Sequence, residues 1–401
     1  MNKTPSFRKI LLSFTAGFFA LAPMGFSALD MIDDGHMFAV PGMEGDLTDF
    51  DWTLLPQVKL EEGVVFQGRQ GLSAFNLHPY ITRFNGRYFA MWSCGIASED
   101  MPYQHVRYAT SKDGLTWGES DFLVAPDRRW TMRYLARGFW IRNGELLALA
   151  SHDESVSIRD GEPHKGKYFG ASLELLYFRW SAETQSWEEG GTVAPNAINN
   201  FPPKQLPSGE WMMSRRDREM DKSLLIGGVS AIDEWQVVEI TQPVDGHRLD
   251  EPYWWELSDG TIAALFRDGS RSRRLYRAFS RDNGRSWTPP IRTDFPDALS
   301  KFNALRTSNG YYVLVNNPNR SGLRNPLCIS VSRDGRMFTK MARIRSAETE
   351  PRLRESKRAR GYQYPQVAEF DGHLFVIYSK NKEDIEIVRI PLEEVALLAG
   401  D

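Results

Sequence analysis

Along the chain, short apolar runs return after turns that contain glycine, and each run closes on a polar residue. The six instances are Asn85-Gly86 followed by RYFAMWS, Asn143-Gly144 by ELLALAS, Ser208-Gly209 by EWMMSRR, Asp259-Gly260 by TIAALFRD, Asn309-Gly310 by YYVLVNN and Asp371-Gly372 by HLFVIYS. Apolar runs bounded by Asn-Gly or Asp-Gly predict antiparallel hairpins, because a two-residue turn that matches strand twist needs positive φ at both central residues. The six glycines stand 58, 65, 51, 50 and 62 residues apart. A period of that length predicts a propeller, array or solenoid rather than two unrelated domains.

A second landmark follows within the units, a turn of the form Ser-x-Asp-(x)-Gly-x-x-aromatic. It runs from Ser111 to Trp117, from Ser280 to Trp287 and from Ser332 to Phe338, with a worn copy from Ser181 to Trp187. Its Asp carboxylate is placed to accept backbone N–H groups inside the turn while the aromatic fills the space between neighbouring sheets. Asp113, Asp282 and Asp334 are accordingly read as structural. These turns resemble the Asp boxes of sialidase-type propellers. The resemblance implies an all-β chain folded as a six-bladed β-propeller over 58–401, with the stretch Val58–Gly68 either completing a blade or adding a seventh. Strands near 58–70 are expected to close the ring against Ile385–Ile390. Helix is expected only at Leu392–Leu398.

Residues 1–27 read as a signal peptide, since Lys3, Arg8 and Lys9 precede an apolar run that ends near the small residues Gly25 and Ser27. Residues 28–57 form an N-terminal extension, and the mature chain is expected to lack a membrane span and to be periplasmic or secreted from a bacterium. Of 49 basic and 52 acidic residues, the signal peptide takes three cations, leaving 46 against 52, or −6. That balance excludes a nucleic-acid partner, so an anionic ligand would have to meet a local arginine cluster. Cys94 and Cys328 lie in apolar strand contexts and are read as buried thiols, and without a Cys-x-x-Cys pair a cysteine zinc site is excluded. P-loop, dinucleotide, serine-hydrolase and zincin motifs are all missing, so no cofactor is expected, although a structural Ca²⁺ is compatible with the chain.

In a propeller the innermost strand of each blade starts at the axial funnel, so the residues ahead of each Gly turn are the ones that could carry chemistry. They are His78-Pro79-Tyr80, Asn200-Phe201-Pro202-Pro203, Asp250-Glu251-Pro252-Tyr253-Trp254, Lys301-Phe302-Asn303 and Tyr362-Gln363-Tyr364-Pro365. Cations gather at matching places: Arg215 and Arg216 after the third unit, Arg267 after the fourth, Arg320 and Arg324 beyond the fifth, and Lys380 after the sixth. Converging guanidinium forks would hold the carboxylate of a sialate or uronate ring. The basic run Arg352, Arg354, Lys357, Arg358 and Arg360 is read as a solvated loop leading into Tyr364. Among the histidines, His78 and His105 are the candidates for proton transfer near neutral pH.

The resemblance to sialidases implies a Tyr nucleophile with an acidic neighbour, here Tyr364 with Glu251, and a carboxylic acid as proton donor, here Asp100 or Asp250. The Phe/Tyr-Arg-Ile-Pro sequence that carries the first arginine in sialidases is absent. A further resemblance covers most of the mature chain. The run from His78-Pro79 through Trp92, Glu99, Gln104 and Arg107, together with Gly361-Tyr362-Gln363-Tyr364-Pro365 and Tyr378-Ser379-Lys380-Asn381-Lys382, is similar to propellers acting on rhamnose–glucuronate and ulvan-type linkages. That group includes hydrolases and lyases. It implies His78 or His105 as the proton-transfer residue, a Tyr partner, and arginine neutralising the uronate carboxylate so that the α-proton can leave. The catalytic set is thus His78, His105, Tyr364 and Glu251. The substrate-binding set is Arg215, Arg216, Arg267, Asn303, Arg324, Lys380, Trp92 and Tyr253, with no metal. The first expectation is an exo-glycosidase cleaving a terminal bond of an acidic oligosaccharide or polysaccharide. The alternatives are a β-eliminating lyase and, from another class, a non-catalytic glycan-binding propeller.

Overall fold

In the computed structural model, the described residues are 33–401, apart from 130, 155, 160–161, 166–168 and 354–359. The signal peptide, residues 28–32, and Arg354, Lys357 and Arg358 of the basic run lie outside them. Six four-stranded antiparallel sheets follow one another along the chain. Blade 1 is Phe75–Phe84, Arg87–Gly95, His105–Ser111 and Asp121–Val124; blade 2 is Arg133–Arg142, Glu145–Asp153, Glu174–Ser181 and Ser186–Pro195. A small hairpin, Val156–Arg159 with Glu162–Lys165, is inserted between the second and third strands of blade 2. Blade 3 is Lys204–Gln205, Trp211–Arg216, Lys222–Gly227 and Trp235–Glu239; blade 4 is Leu249–Glu256, Ile262–Asp268, Arg274–Ser280 and Ile291–Pro296. Blade 5 is Asn303–Arg306, Tyr312–Asn316, Leu327–Ser332 and Lys340–Arg345. Blade 6 is Tyr362–Phe370, His373–Lys380 and Asp384–Pro391, and its fourth strand comes from the other end of the chain, Glu61–Phe66.

That last strand decides the blade number. Glu61 faces Arg389 and Phe66 faces Ile385, so of the two expectations for Val58–Gly68 the completion of a blade holds, and the ring closes against Ile385–Ile390 as expected. The helix runs from Leu392 to Ala399, and among the described residues no helix is long and apolar enough to cross a membrane.

Each Gly turn joins the first and second strands of its blade, but the six are of two kinds. Asn85-Gly86, Asn143-Gly144 and Asp371-Gly372 have positive φ at both residues, as the sequence predicts. At Ser208-Gly209, Asp259-Gly260 and Asn309-Gly310 only the glycine does, and its N–H donates to the carbonyl three residues earlier, on Leu206, Leu257 and Thr307 respectively. The longer loop lets the first residue stay in ordinary space.

The Asp boxes join third to fourth strands. In the first, Ser111 Oγ donates to Asp113 (3.0 Å), whose Oδ1 also accepts the N–H groups of Leu115 (2.9 Å) and Thr116 (2.7 Å), while Trp117 Nε1 donates to Gly114 O (3.2 Å). These donors hold the Asp113 carboxyl well below its ordinary range. The boxes at Asp282 and Asp334 repeat the pattern. The worn copy sits at the same place in blade 2 with Glu183 at the Asp position; the Thr184 N–H goes to Ser181 Oγ (3.3 Å) rather than to a carboxylate, and Trp187 packs on Phe89, Tyr108 and Trp180.

Cores lie between adjacent blades. Trp92, Phe375 and Ile387 fill the space between blades 6 and 1, Phe89, Phe139 and Leu146 that between blades 1 and 2, and Tyr276, Trp254 and Ile226 that between blades 3 and 4. Between blades 4 and 5 Trp255 Nε1 donates to Gly335 O (3.1 Å), and Phe38 of the N-terminal extension joins Phe295 and Phe338. Cys94 and Cys328 are buried free thiols.

Candidate active site

Three inner strands carry the same distortion. Between Leu77 and Tyr80, between Asp250 and Tyr253, and between Gln363 and Gln366, two residues oppose a single residue on the partner strand. The extra pairs are His78-Pro79, Glu251-Pro252 and Tyr364-Pro365. Proline has no N–H to leave unsatisfied, and a bulge is where a sheet tolerates it. The residue ahead of each proline has positive φ: 55° at His78, 48° at Glu251 and 53° at Tyr364. Left-handed backbone at a non-glycine costs roughly 1–3 kcal/mol per residue, and its repetition at three blades marks a place where side-chain direction outweighs local stability. Blade 2 has a related irregularity between Ala136 and Gly138, where Arg137 is the extra residue and Gly138 takes φ 101°.

These bulges gather His78, Glu251 and Tyr364, with Arg267 and Arg324, into one group. The rings of His78 and Tyr364 lie 5.3 Å apart, and the Arg324 guanidinium is 5.0 Å from the centre of the Tyr364 ring. Arg267 Nη1 donates to Glu251 Oε2 at 2.8 Å. Burial alone would raise the Glu251 carboxyl, but Arg267, then Lys301 and Arg216, overcome it and bring it to about 2. Arg267 in turn is pushed upward, chiefly by Glu251 and Tyr364 against the cost of burial. The Tyr364 hydroxyl has no hydrogen-bond partner among the described residues, and Glu251, its expected neighbour, is engaged by Arg267 instead. His78 Nδ1 is 3.2 Å from Ser93 Oγ, and its Nε2 is 3.7 Å from Glu99. Burial, reinforced by Arg137 and Lys301, lowers the imidazole well below its ordinary value, so it is neutral at pH 7. Asp100 has φ 65° and is held by Arg133 Nη1 at 2.8 Å, and its charge acts on both His78 and Arg137.

Other expected residues border this group. Asn303 Oδ1 accepts the N–H of Val367 (3.0 Å), and the Tyr253 ring packs on Phe201 at 4.5 Å, its hydroxyl pushed up to about 12 by burial. Arg216 lies over Phe169 and is 3.8 Å from Asp250, which Lys222 also approaches at 3.4 Å. Arg215, pointing the opposite way on the same strand, pairs with Asp217 at 3.5 Å.

Three expected residues stand elsewhere. Trp92, expected to touch substrate, is fully buried between blades 1 and 6, with Nε1 on Asn76 (3.1 Å) and its ring against Phe66. Lys380 turns outward to Glu386 (2.9 Å) on the next strand. His105 begins the third strand of blade 1, away from the innermost strands. It lines a separate crevice of about 830 Å³ with Phe66, Arg107 and Phe122, and burial lowers it to about 4. A second crevice, about 310 Å³, lies between blades 3 and 4 beside Asp250 and Pro252.

Three charged residues in this neighbourhood were assigned no role by sequence: Arg137 and Lys301, both buried, the latter read only as part of the entrance to blade 5, and Asp297. Asp297 is fully buried ahead of blade 5, accepts the N–H of Leu299 (2.8 Å) on one oxygen and has no partner among the described residues on the other; burial lifts it to about 7 despite the pull of Arg267. Among the described residues no group of three or more His, Cys, Asp or Glu is placed to hold a metal ion.

Comparison with known proteins bears on the fold. Residues 177–376 match the model of the BNR repeat-like domain. No curated protein matches the chain. A solved structure titled sialidase aligns over 90% of this chain at 21% identity with a TM-score of 0.62, this chain spanning only about a third (35%) of that protein's length. The intramolecular trans-sialidase from Ruminococcus gnavus aligns over 83% of this chain and 98% of its own, at 13% identity and a TM-score of 0.60. A protein of unknown function from Dyadobacter fermentans aligns over 84% of this chain and all of its own, at 14% identity and 0.63. Six four-stranded blades, three of them with an Asp box in the turn from third to fourth strand, define a sialidase-like β-propeller. In architecture, then, the chain is a sialidase-like propeller, and residues 177–376 carry the BNR repeat-like pattern.

Proposed function

We propose that this chain is an exported glycosidase that cleaves a terminal bond involving an acidic sugar. The observation that carries the reading is the Tyr364 hydroxyl, left without a partner between His78, Arg324 and the Arg267–Glu251 pair. A phenol becomes a useful nucleophile when nearby cations stabilise its anion, and Arg324 and Arg267 supply that field. Glu251 stays ionised and offsets the positive charge that builds on the sugar in an oxocarbenium-like transition state. As Tyr364 Oη attacks the anomeric carbon, the neutral His78 imidazole beside it takes the phenol proton, the bond to the leaving oxygen breaks, and protonated Asp100 gives that oxygen its proton. A water then attacks the same carbon, loses a proton to Asp100, and Tyr364 leaves and takes its own proton back from His78. The name sialidase among proteins of this fold supports an acidic glycan, a sialate or a uronate, as substrate.

One observation favours a second reading. Tyr364 sits beside a neutral imidazole rather than in a hydrogen bond with Glu251, an arrangement suited to β-elimination from a uronate, with His78 taking the α-proton and Tyr364 protonating the leaving oxygen. Incubation with a panel of sialylated and glucuronate-containing oligosaccharides, with product masses, separates the two. Hydrolysis adds one water across the products, whereas elimination adds none and leaves an unsaturated uronate absorbing near ~235 nm. Unchanged oligosaccharide that nonetheless binds would make the chain a glycan-binding propeller and end both readings.

A further inference from the structure

The cations that the sequence singles out already have partners. Arg267 is on Glu251, Arg215 near Asp217, Arg216 near Asp250 and Lys380 on Glu386; Arg324 bonds Gln363 and covers Tyr364. A carboxylate arriving at any of these would have to displace or share an existing contact. Two other cations are in a different condition. Arg137 and Lys301 are each 3% exposed, and neither meets a carboxylate within ion-pair distance among the described residues. Arg137 spends Nε on Ser151 Oγ (3.1 Å), and its two terminal nitrogens have no partner among the described residues. Lys301 Nζ donates to the neutral oxygens of Tyr80 (2.8 Å) and Asn200, and lies 4.9 Å and 4.5 Å from the centres of the Tyr80 and Phe201 rings.

The other arginines buried among the described residues, Arg133 and Arg277, are paired. Arg133, equally buried, forks onto Asp153 at 2.6 and 3.1 Å, and Arg277 reaches Asp33 at 2.7 Å. A buried charge without a counter-ion is costly, and it persists where a ligand completes the pair. Arg137 occupies the bulge of blade 2, the position that brings His78, Glu251 and Tyr364 together from blades 1, 4 and 6. Arg137 and Lys301 both act on His78, and both interact with Glu251 across the group.

We propose that Arg137 and Lys301 form the seat of the substrate's anionic group, a carboxylate of a sugar acid held between blade 2 and the entrance to blade 5. The guanidinium presents two N–H groups to the carboxylate and the ammonium supplies the second charge. This rests on reading the axial group as a carbohydrate site, and it fixes which end of the sugar faces His78. Bound there, the anion also offsets the charge that Arg137 and Lys301 add to the burial holding His78 neutral, so its occupancy raises the affinity of the imidazole for a proton.

Calorimetric titration of the full chain with glucuronate, N-acetylneuraminate, sulfate and glucose tests the assignment apart from turnover. Wild type binds one or both sugar acids and not glucose. Arg137→Gln lowers that affinity at least tenfold, Arg137→Lys restores part of it, and Lys301→Met lowers it similarly, while Arg324→Gln lowers it less. Because Arg137 makes one side-chain hydrogen bond, Arg137→Gln is expected to melt no lower than wild type, and a Tm measured beside each titration guards against misfolding. Equal affinity in wild type and Arg137→Gln overturns the assignment, as does loss confined to Arg324→Gln, or wild type binding neither sugar acid. Sulfate bound as tightly as the sugar acids, through the same residues, assigns the seat to a sulfate ester and overturns the carboxylate. A chain that binds glucuronate through Arg137 yet turns over no glycan keeps this seat and ends the glycosidase reading.

Discussion

His78, Glu251 and Tyr364 announce themselves in sequence through the proline that follows each, because a bulge is one of the few places a central strand admits proline. Arg137 occupies the same structural position ahead of Gly138, and nothing in Leu-Ala-Arg-Gly-Phe distinguishes it from an ordinary strand. The same limit explains Trp92: alternation tells that a side chain faces out of the sheet but not whether a neighbouring blade covers it, and here Phe66 does. His78→Ala and Arg267→Ala are each expected to lower turnover of the true substrate by at least about a hundredfold, the usual scale for losing proton transfer or charge stabilisation, with the melting profile largely kept. Full activity in either variant would remove it from the site. His105 makes a different prediction, about stability. Its folded value, about 4, lies below the ordinary 6.5, so between those pH values the unfolded chain binds the proton and the folded one does not. Stability therefore rises with pH across that window and falls as pH drops from 6.5 to 4, by on the order of 3 kcal/mol. Urea unfolding of His105→Asn at pH 7 and pH 4.5 should show a shallower acid loss than wild type; parallel curves would refute the assignment to this imidazole.

At the scale of the element, the Asp box is legible because every one of its residues has a separate job. Ser and Asp satisfy the turn's N–H groups, the aromatic returns its ring to the sheet, and the glycine is forced by space: a Cβ on Gly114 would stand 2.5 Å from the Phe375 ring of the next blade, at φ 78°. The box is thus an inter-blade contact as well as a turn. Trp287 shows what that contact is worth. It is buried with the cluster joining blades 3 and 4, donates to Gly284 O at 2.8 Å and accepts the Thr241 hydroxyl on its own carbonyl. Trp287→Ala removes the ring and leaves a void that two sheets cannot both collapse into, at an expected cost of roughly 3–5 kcal/mol. Equilibrium unfolding measures it; a loss under about 1 kcal/mol would show that the aromatic is not what ties the blades. The hairpin turns were legible in place but only half legible in type, since loop length, set by where the flanking strands end, decides whether one residue or two enters left-handed space.

For the whole molecule, the six units fix the architecture, and the step that closes the ring was legible too, because the strand near 58–70 stands outside the six units and Ile385–Ile390 lacks an outer neighbour within its own. Here the chain supplies it by lending Glu61–Phe66 to a blade made otherwise of residues 362–391. A propeller closed this way couples its two ends: Val65 packs with Ile385 and Ile387, Arg389 bonds Glu61, and Arg345 of blade 5 reaches Glu62. The exposed ion pairs add little on their own, so the strength of closure rests on the ladder and on Val65 and Phe66. Axial side chains are carried by separate blades, and their relative placement depends on every blade interface in the ring. Shortening the chain to begin at Gly68 is therefore expected to cost on the order of 5 kcal/mol, comparable with the whole stability of an ordinary domain, and to abolish binding at the axis even where far-ultraviolet signal remains. A chain beginning at Leu60 keeps the closing strand while losing the Phe38 contact with blades 4 and 5 and the Asp33 carboxylate on buried Arg277, so it separates the two contributions: it should bind sugar acids like wild type, with a fall in Tm smaller than that of the shorter chain. If the two truncations unfold at the same denaturant midpoint, the closing strand is not what holds the ring, and the geometry of the axial group must be maintained by the blade interfaces alone.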